Sequence, residues 1–467
     1  MTRYFGTDGV RATINTGAMT AENIVRLALA AGRYFMAKQQ NASRQRPLVV
    51  IGKDTRLSGY MVEAALQAGF ASIGMDTSLL GPLPTPAVAH LTRTLRADLG
   101  VMISASHNPH HDNGIKLFGP DGYKLPDAAE DQIASIMNDH IVLAAPKDLG
   151  RAKRMLDGLG RYVEQVKIAA PRHMRFSGLK VVIDCANGAA YRAAPDVLFE
   201  MGAEVIPIAV NPDGLNINQK CGAVYPMTMA EAVVAHQADV GLALDGDADR
   251  LIMSDEKGQL INGDQCLAVI ADMMLGNGTL KGQTVVGTLM TNHGLGRFLA
   301  DRNIDMLRTQ VGDRYILDAM RQKNLNLGGE PSGHVLMTDY ATSGDGLMTG
   351  LVMLSALCMA NKPASDALQK FKETPQILVN LKAERRQDIT DAMENHIVKD
   401  AISSAEDALG ASGRVVVRPS GTEALLRIMV EAEDATDMQK WAQTLEQVMQ
   451  DALNTASALN NVENRCE

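Results

Sequence analysis

Aromatic residues make up only 4% of the 467-residue chain, with a single Trp, so it offers few stacking platforms for single-stranded nucleic acid. Positive charge is not in excess either. Against 54 Asp and Glu stand 45 Lys and Arg, a formal net charge of −9, the reverse of a nucleic-acid binder's balance. Cysteine is scarce and odd in number: Cys185, Cys221, Cys266, Cys358 and Cys466 form no Cys-x-x-Cys pair. That argues against a disulfide framework or a zinc site and fits a reducing compartment, the cytoplasm. No apolar run is long enough to span a membrane, and residues 1–10 are polar and glycine-bearing where a signal peptide needs an apolar stretch.

What is present is the composition of a folded protein, 46% hydrophobic and 21% charged, in a chain long enough for several cores. An acidic protein that handles anions must concentrate its positive charge locally, so short loops bearing Arg and Lys are the places to look.

Three stretches follow one plan. Apolar strands are expected at 48–51 and 99–103 around a helix at 59–72, at 179–183 and 240–244 around a helix at 191–201, and at 284–287 and 325–328 around a helix at 295–302. Alternation of this kind predicts βαβ units on mostly parallel sheets, with ligand-binding loops following the strands. Beyond residue 372 the pattern changes to strand 377–381, helix 389–408, strands 413–418 and 425–431 and helix 435–453, a smaller α+β domain. The expected fold is therefore α/β: three similar domains (1–153, 154–258 and 259–372) and a C-terminal α+β domain (373–467).

Four loops carry chemistry. Ser104-Ala105-Ser106-His107-Asn108-Pro109, with Lys116 beyond, sets a hydroxyl beside an imidazole, a plausible nucleophile setting that would also serve as an ordinary turn. Asp245-Gly246-Asp247-Ala248-Asp249-Arg250 places carboxylates on alternate residues, as a hard cation requires. Glu256 falls where a calcium EF-hand has its last ligand, but Arg250 replaces the required glycine and the flanks read as strands. With few protein carboxylates and room for a phosphoryl oxygen, Mg²⁺ is the better match. Gly329-Glu330-Pro331-Ser332-Gly333-His334 brackets small polar positions between an acid and a histidine. Arg418-Pro419-Ser420-Gly421-Thr422-Glu423, with Arg427 beyond, groups a guanidinium, two hydroxyls and free amides as an anion nest or a polar hairpin turn.

In this order the four motifs resemble the phosphoserine, metal, sugar and phosphate loops of the α-D-phosphohexomutase superfamily, over nearly the whole chain. Tyr4-Phe5-Gly6-Thr7-Asp8-Gly9-Val10-Arg11, Gly52-Lys53-Asp54-Thr55-Arg56 and Gly81-Pro82-Leu83-Pro84-Thr85-Pro86 are similar to its amino-sugar branch. The resemblance implies four domains around a central cleft and a phosphorylated Ser106. It implies Mg²⁺ held by Asp245, Asp247, Asp249 and that phosphoserine, and a transfer site lined by Arg11, His107, Lys116 and Arg250. Glu330, Ser332 and His334 would face the sugar, and Arg418, Ser420, Gly421, Thr422 and Arg427 the phosphate that is not reacting. The implied reaction interconverts glucosamine 6-phosphate and glucosamine 1-phosphate through a sugar 1,6-bisphosphate; the alternative is the same chemistry on glucose or mannose phosphates. Ala12, Pro331 and Ala424 stand where that branch usually has Gly, Gln and Pro. The partner is a small phosphosugar, with neither nucleic acid nor membrane, and the protein a monomer or homodimer. A serine hydrolase built on Ser106 and His107 lacks a Gly-x-Ser-x-Gly elbow and leaves the aspartates unexplained. A non-catalytic calcium- or phosphate-binding protein would show no covalent phosphate.

Overall fold

A computed structural model describes residues 4–6, 9–38, 46–419 and 424–463, with side chains to residue 457. The chain divides into two compact units, one of residues 1–290 and 303–370, the other of residues 291–302 and 371–467.

The first unit holds three sheets. The N-terminal sheet has six strands in the order Val10–Thr13, Asp112–Phe118, Leu99–Ile103, Leu48–Lys53, Asp76–Pro82 and Ala152–Arg154. Its last four strands run parallel, while Asp112–Phe118 is antiparallel to both neighbours. The next sheet repeats the plan, with Lys180–Asp184 parallel to Glu204–Ile208 and Val240–Leu244, and Leu251–Asp255 returning antiparallel. In the third, Thr284–Thr288 is parallel to Asp305–Thr309 and Leu327–Gly329, and Val335–Met337 returns antiparallel. Each sheet is thus mixed: a parallel βα core ends in an antiparallel hairpin, and the hairpins carry the serine, aspartate and glutamate–histidine loops.

Local sequence explains the covering layers. The Ala21–Ala37 helix begins where the Thr20 hydroxyl accepts from the Asn23 N–H, and buries Ile24, Leu27, Ala28, Ala31 and Phe35 at helical spacing. It packs on Gly59–Ser72 closely enough that a Cβ at Gly69 would lie 2.5 Å from the Ala28 methyl. The Gly346–Ala360 helix, without a charged residue, is buried nearly throughout and is capped by Asp345, which accepts the Met348 N–H at 2.9 Å. Burial, opposed by those bonds, raises the Asp345 carboxyl to about 6, and the buried Tyr162 hydroxyl donates to it at 3.0–3.1 Å. Tyr162→Phe is expected to lower stability by about 1–3 kcal/mol, the cost of stripping a donor from a buried acceptor. A shift in urea midpoint at constant m-value measures it; an unchanged midpoint would show the bond contributes nothing.

The second unit has an antiparallel sheet of Gln376–Lys382, Leu425–Ala432 and Gly413–Pro419, backed by helices. The helix expected at 389–408 is two, Arg386–Glu394 and His396–Leu409. Asn395 adopts extended backbone between them and accepts the Ile397 N–H to start the second. The helix expected at 295–302 runs His293–Ala300 and belongs to this unit, not to the third α/β domain. Asn292 anchors it: its Nδ2 donates to Thr374 O and Glu431 Oε1 at 3.0 and 3.1 Å, and its Oδ1 accepts from the Gly294 and Thr374 amides. Glu431, fully buried, also pairs with Arg414. No helix among the described residues is long and apolar enough to cross a membrane.

Candidate active site

The fully buried Leu99–Ile103 strand ends at Ser104. Ser104 Oγ donates to Asp54 Oδ2 at 2.7 Å and accepts the Ser106 N–H at 2.9 Å. Ser106 has φ +52° and is 2% exposed. Its Oγ lies 2.6 Å from Asp245 Oδ2 and 3.3 Å from His107 Nδ1. Lys116 reaches the site because its strand pairs antiparallel with the serine strand, Lys116 opposite Met102. Arg11 comes from the edge strand opposite Gly114 and donates to Asn108 Oδ1 at 3.3 Å.

The aspartates sit in the tight turn joining Val240–Leu244 to Leu251–Asp255. Lys116 Nζ lies 2.9 Å from Asp247 Oδ2 and 3.3 Å from Asp249 Oδ2, and Thr85 Oγ1 donates to Asp247 Oδ2 at 2.5 Å. One oxygen from each of Asp245, Asp247 and Asp249 falls within 4.8 Å of the others. Burial, then the charges of Asp249 and Asp247, raise the Asp245 carboxyl to about 8. Burial opposes ionisation of Asp249 too, but Lys116, His334 and Arg250 hold it well below the usual carboxylate range. Asp247 Oδ1 and Asp249 Oδ1 are buried without a hydrogen-bond partner among the described residues. Three buried carboxylates with two orphaned oxygens fit a hard divalent cation: its charge offsets the repulsion and its coordination uses the oxygens that Lys116 does not.

The glutamate–histidine loop is stitched to this turn by the Leu251 N–H, which donates to Gly333 O at 3.0 Å. Glu330 is buried, with Oε1 accepting the Gly312 N–H at 3.1 Å. His334 is buried with Nδ1 3.7 Å from Asp249 Oδ1 and Nε2 3.5 Å from Asp313 Oδ2. Burial works against its protonation, but Asp249 and Asp313 raise its pKa. Pro331 is half-buried and Ser332 exposed at the loop's tip. Arg250 is held protonated, the cost of burial outweighed by Asp245 and Asp249. Burial, then Arg250 and Arg11, push the His107 imidazole down to about 4.

One connected group therefore contains Ser106, His107, Lys116, Arg11, Asp245, Asp247, Asp249, Arg250, Glu330 and His334. In the second unit Arg418 and Arg427 are cross-strand neighbours; Ser420, Gly421 and Thr422 lie outside the described residues. Several contributors carried no role in the sequence reading. Asp54 and Arg56 brace the serine loop, Thr85 holds Asp247, Asn218 reaches in from a turn and Asp313 from the start of the Asp313–Lys323 helix. Gly344 lies flat against the His334 ring, where a Cβ would come within 2.5 Å. The signal available for Asp54 and Arg56 was a charged pair at the end of a buried strand; Asn218 and Gly344 had none.

Four family models cover the chain. Phosphoglucomutase/phosphomannomutase alpha/beta/alpha domains I, II and III match residues 2–141, 160–258 and 262–374, and the C-terminal domain matches 378–448. The phosphoglucosamine mutase of Paramagnetospirillum magneticum is 54% identical over 93% of this chain and 96% of its own. That of Dinoroseobacter shibae is 55% identical over 92% and 95%. Among solved structures, a phosphoglucomutase/phosphomannomutase family protein from Burkholderia thailandensis superposes with TM-score 0.80 at 22% identity, over 97% of this chain and 98% of that one. N-acetylphosphoglucosamine mutase of Aspergillus fumigatus, in complex with GlcNAc-6P and magnesium, gives TM-score 0.66 at 16% identity, over 96% of each chain. The two structures share the fold; the identity to the curated relatives is what places the chain, which belongs to the phosphoglucosamine mutases of the phosphoglucomutase/phosphomannomutase family.

Proposed function

We propose that the enzyme interconverts glucosamine 6-phosphate and glucosamine 1-phosphate in the cytoplasm, with Ser106 as phosphate carrier and the 1,6-bisphosphate as intermediate. The observation that carries this reading is the buried Ser106 hydroxyl 2.6 Å from one of three converging carboxylates. In the forward half-reaction the bond between phosphorus and Ser106 Oγ breaks as one forms to the sugar 1-oxygen. The 1-hydroxyl proton leaves to a nearby base, and Ser106 Oγ regains one when the alkoxide is neutralised. In the return half-reaction Ser106 Oγ takes the phosphoryl group from the 6-position. Lys116 and His107 are the groups placed to move these protons. Asp245, Asp247 and Asp249 would hold a magnesium ion, which would neutralise charge on the moving phosphoryl group; the fungal relative's magnesium complex supports that choice. Arg11 and Arg250 add positive charge, and Glu330, Ser332 and His334 face the sugar.

Glu330 supports the amino sugar, since a buried carboxylate favours an ammonium substituent. Pro331, the departure in this loop, accepts the Gly263 N–H through its carbonyl at 3.2 Å, so the proline is accommodated without displacing Glu330. With purified enzyme, kcat/KM is expected to be higher for glucosamine phosphate than for glucose or mannose phosphate. The opposite order would assign the alternative substrate.

Arg418 and Arg427 support the phosphate anchor. Like charges directly opposite across a sheet are unfavourable, and Arg427 Nε is buried without a hydrogen-bond partner among the described residues; a bound phosphate relieves both. Arg418→Ala is expected to weaken binding of 1-phosphate and 6-phosphate substrates alike, by roughly tenfold to a hundredfold for one charge-assisted contact. Calorimetric Kd values for each monophosphate test this: no change refutes the anchor, and weakening of one isomer alone refutes its indifference to which end it holds.

A further inference from the structure

We propose that Arg56 and Asn218 are positioning residues for phosphoryl transfer, a clamp from two domains that fixes the direction of the Ser106 hydroxyl. The inference rests on Ser106 as the phosphate carrier.

Arg56 is 1% exposed and spends its guanidinium on main-chain carbonyls. Nη2 donates to Ser106 O at 2.9 Å and Asn108 O at 2.8 Å, and Nη1 to Asp112 O at 3.0 Å and to Pro109 O. Nε is held by Asp54 Oδ2 at 2.7 Å. Asn218 arrives from the second α/β domain and donates to two of the same carbonyls, Ser106 O at 2.9 Å and Asn108 O at 3.1 Å. Asn218 is itself fixed, with φ +59° and its N–H on Ala186 O. Gly246 closes the remaining side, for a Cβ there would lie 2.5 Å from Ser106 O and 2.9 Å from Asn218 Nδ2.

These contacts act on a site residue whose backbone needs help. Ser106 occupies the left-handed region, which a residue with a Cβ holds only when its surroundings impose it. Each peptide is planar, so pinning the Ser106 carbonyl while Ser104 Oγ holds the Ser106 N–H at 2.9 Å restrains both peptide planes that flank the serine, and with them the direction of its Cα–Cβ bond, from which Oγ reaches out. Here it points at Asp245. Arg56 ties this direction to the first domain and Asn218 ties it to the domain that carries the aspartates, so nucleophile and carboxylates keep one register. Among the described residues, the Ser106 hydroxyl is hydrogen-bonded to Asp245 and His107 and not to either of these side chains.

The test uses full-length enzyme, phosphorylated by sugar bisphosphate, with Asn218→Ala and Arg56→Lys as variants. Arg56→Lys keeps the charge beside Asp54 and loses the fork. Single-turnover transfer from phosphoserine to sugar, KM, Mn²⁺ affinity and Tm are measured together. In Asn218→Ala the transfer rate is expected to fall by roughly tenfold to a hundredfold, the scale of a misplacement near 1 Å, with KM and Mn²⁺ affinity within about twofold of wild type. Arg56→Lys is expected to lose at least as much; if it does not fold, Asn218→Ala decides alone. A lowered Tm with an unchanged transfer rate would make the contacts merely structural and overturn the proposal, and so would Mn²⁺ affinity falling in step with the rate. Phosphate mapped away from Ser106 in the wild type would refute the carrier assignment itself, which the variants do not test.

Discussion

Ser106→Ala is expected to lower turnover by roughly 10⁴-fold or more, the scale of removing an acting nucleophile, and to leave a folded protein. The substitution deletes one oxygen, which lies against Asp245 Oδ2 and His107 Nδ1, and no residue of the core depends on it. Ser104→Ala is the control. Ser104 Oγ binds Asp54 and the Ser106 amide, so its loss slackens the loop without removing the carrier. Peptide mapping of enzyme treated with sugar bisphosphate is expected to place phosphate on Ser106 in the wild type and in Ser104→Ala, and nowhere in Ser106→Ala. Phosphate on Ser104, or full activity in Ser106→Ala, would refute the assignment.

The second large effect concerns the aspartates. Replacing Asp245, Asp247 or Asp249 by Asn is expected to cost on the order of 10²-fold or more in turnover, because a small hard cation must exchange its hydration for anionic oxygen. Thorough chelation of the wild type should do the same, reversed by Mg²⁺. Stability of the metal-free protein should rise or stay level in Asp245→Asn, whose charge is disfavoured by burial and by its two neighbours, and should fall in Asp247→Asn and Asp249→Asn, each of which removes a buried carboxylate paired with Lys116. Chemical denaturation in chelator and direct Mn²⁺ titration separate the two effects. Unchanged turnover after chelation would refute the metal assignment, and a uniformly unstable set of variants would mean the carboxylates serve folding.

How much was legible beforehand depends on how each residue acts. The βα plan was readable because strands such as Val240–Leu244, buried at every position, are continuous apolar runs ending abruptly in polar turns. The aspartates and Ser106 stood out because their residue types are costly just after a buried strand. Arg56 showed only as a charge near Asp54 at the end of a buried strand and Asn218 not at all, because both act on main-chain carbonyls, which every loop has. Gly344 acts by lacking a side chain. The break at Asn395 was missed because both flanking helices keep amphipathic spacing, and a single extended residue interrupts the backbone more than the pattern. The allegiance of His293–Ala300 was hidden for another reason. Its apolar face suits any partner, and polar contacts far apart in sequence, such as that of Asn292 with Glu431, decide which one it packs against.

That allegiance makes the C-terminal unit an interwoven module and not an appendage. The backbone passes between the two units three times, after residues 290, 302 and 370. A protease cutting after Lys370 would sever one crossing of three and leave residues 371–467 tied non-covalently to the segment 291–302, which stays in the other fragment. Expressed alone, residues 371–467 would lack the helix that contributes buried Leu295, Phe298 and Leu299, together with the Asn292 amide that donates to Glu431. An autonomous version of this unit must therefore carry residues 291–302 grafted back by a new linker, and gene fusions that exchange it between relatives must exchange both pieces.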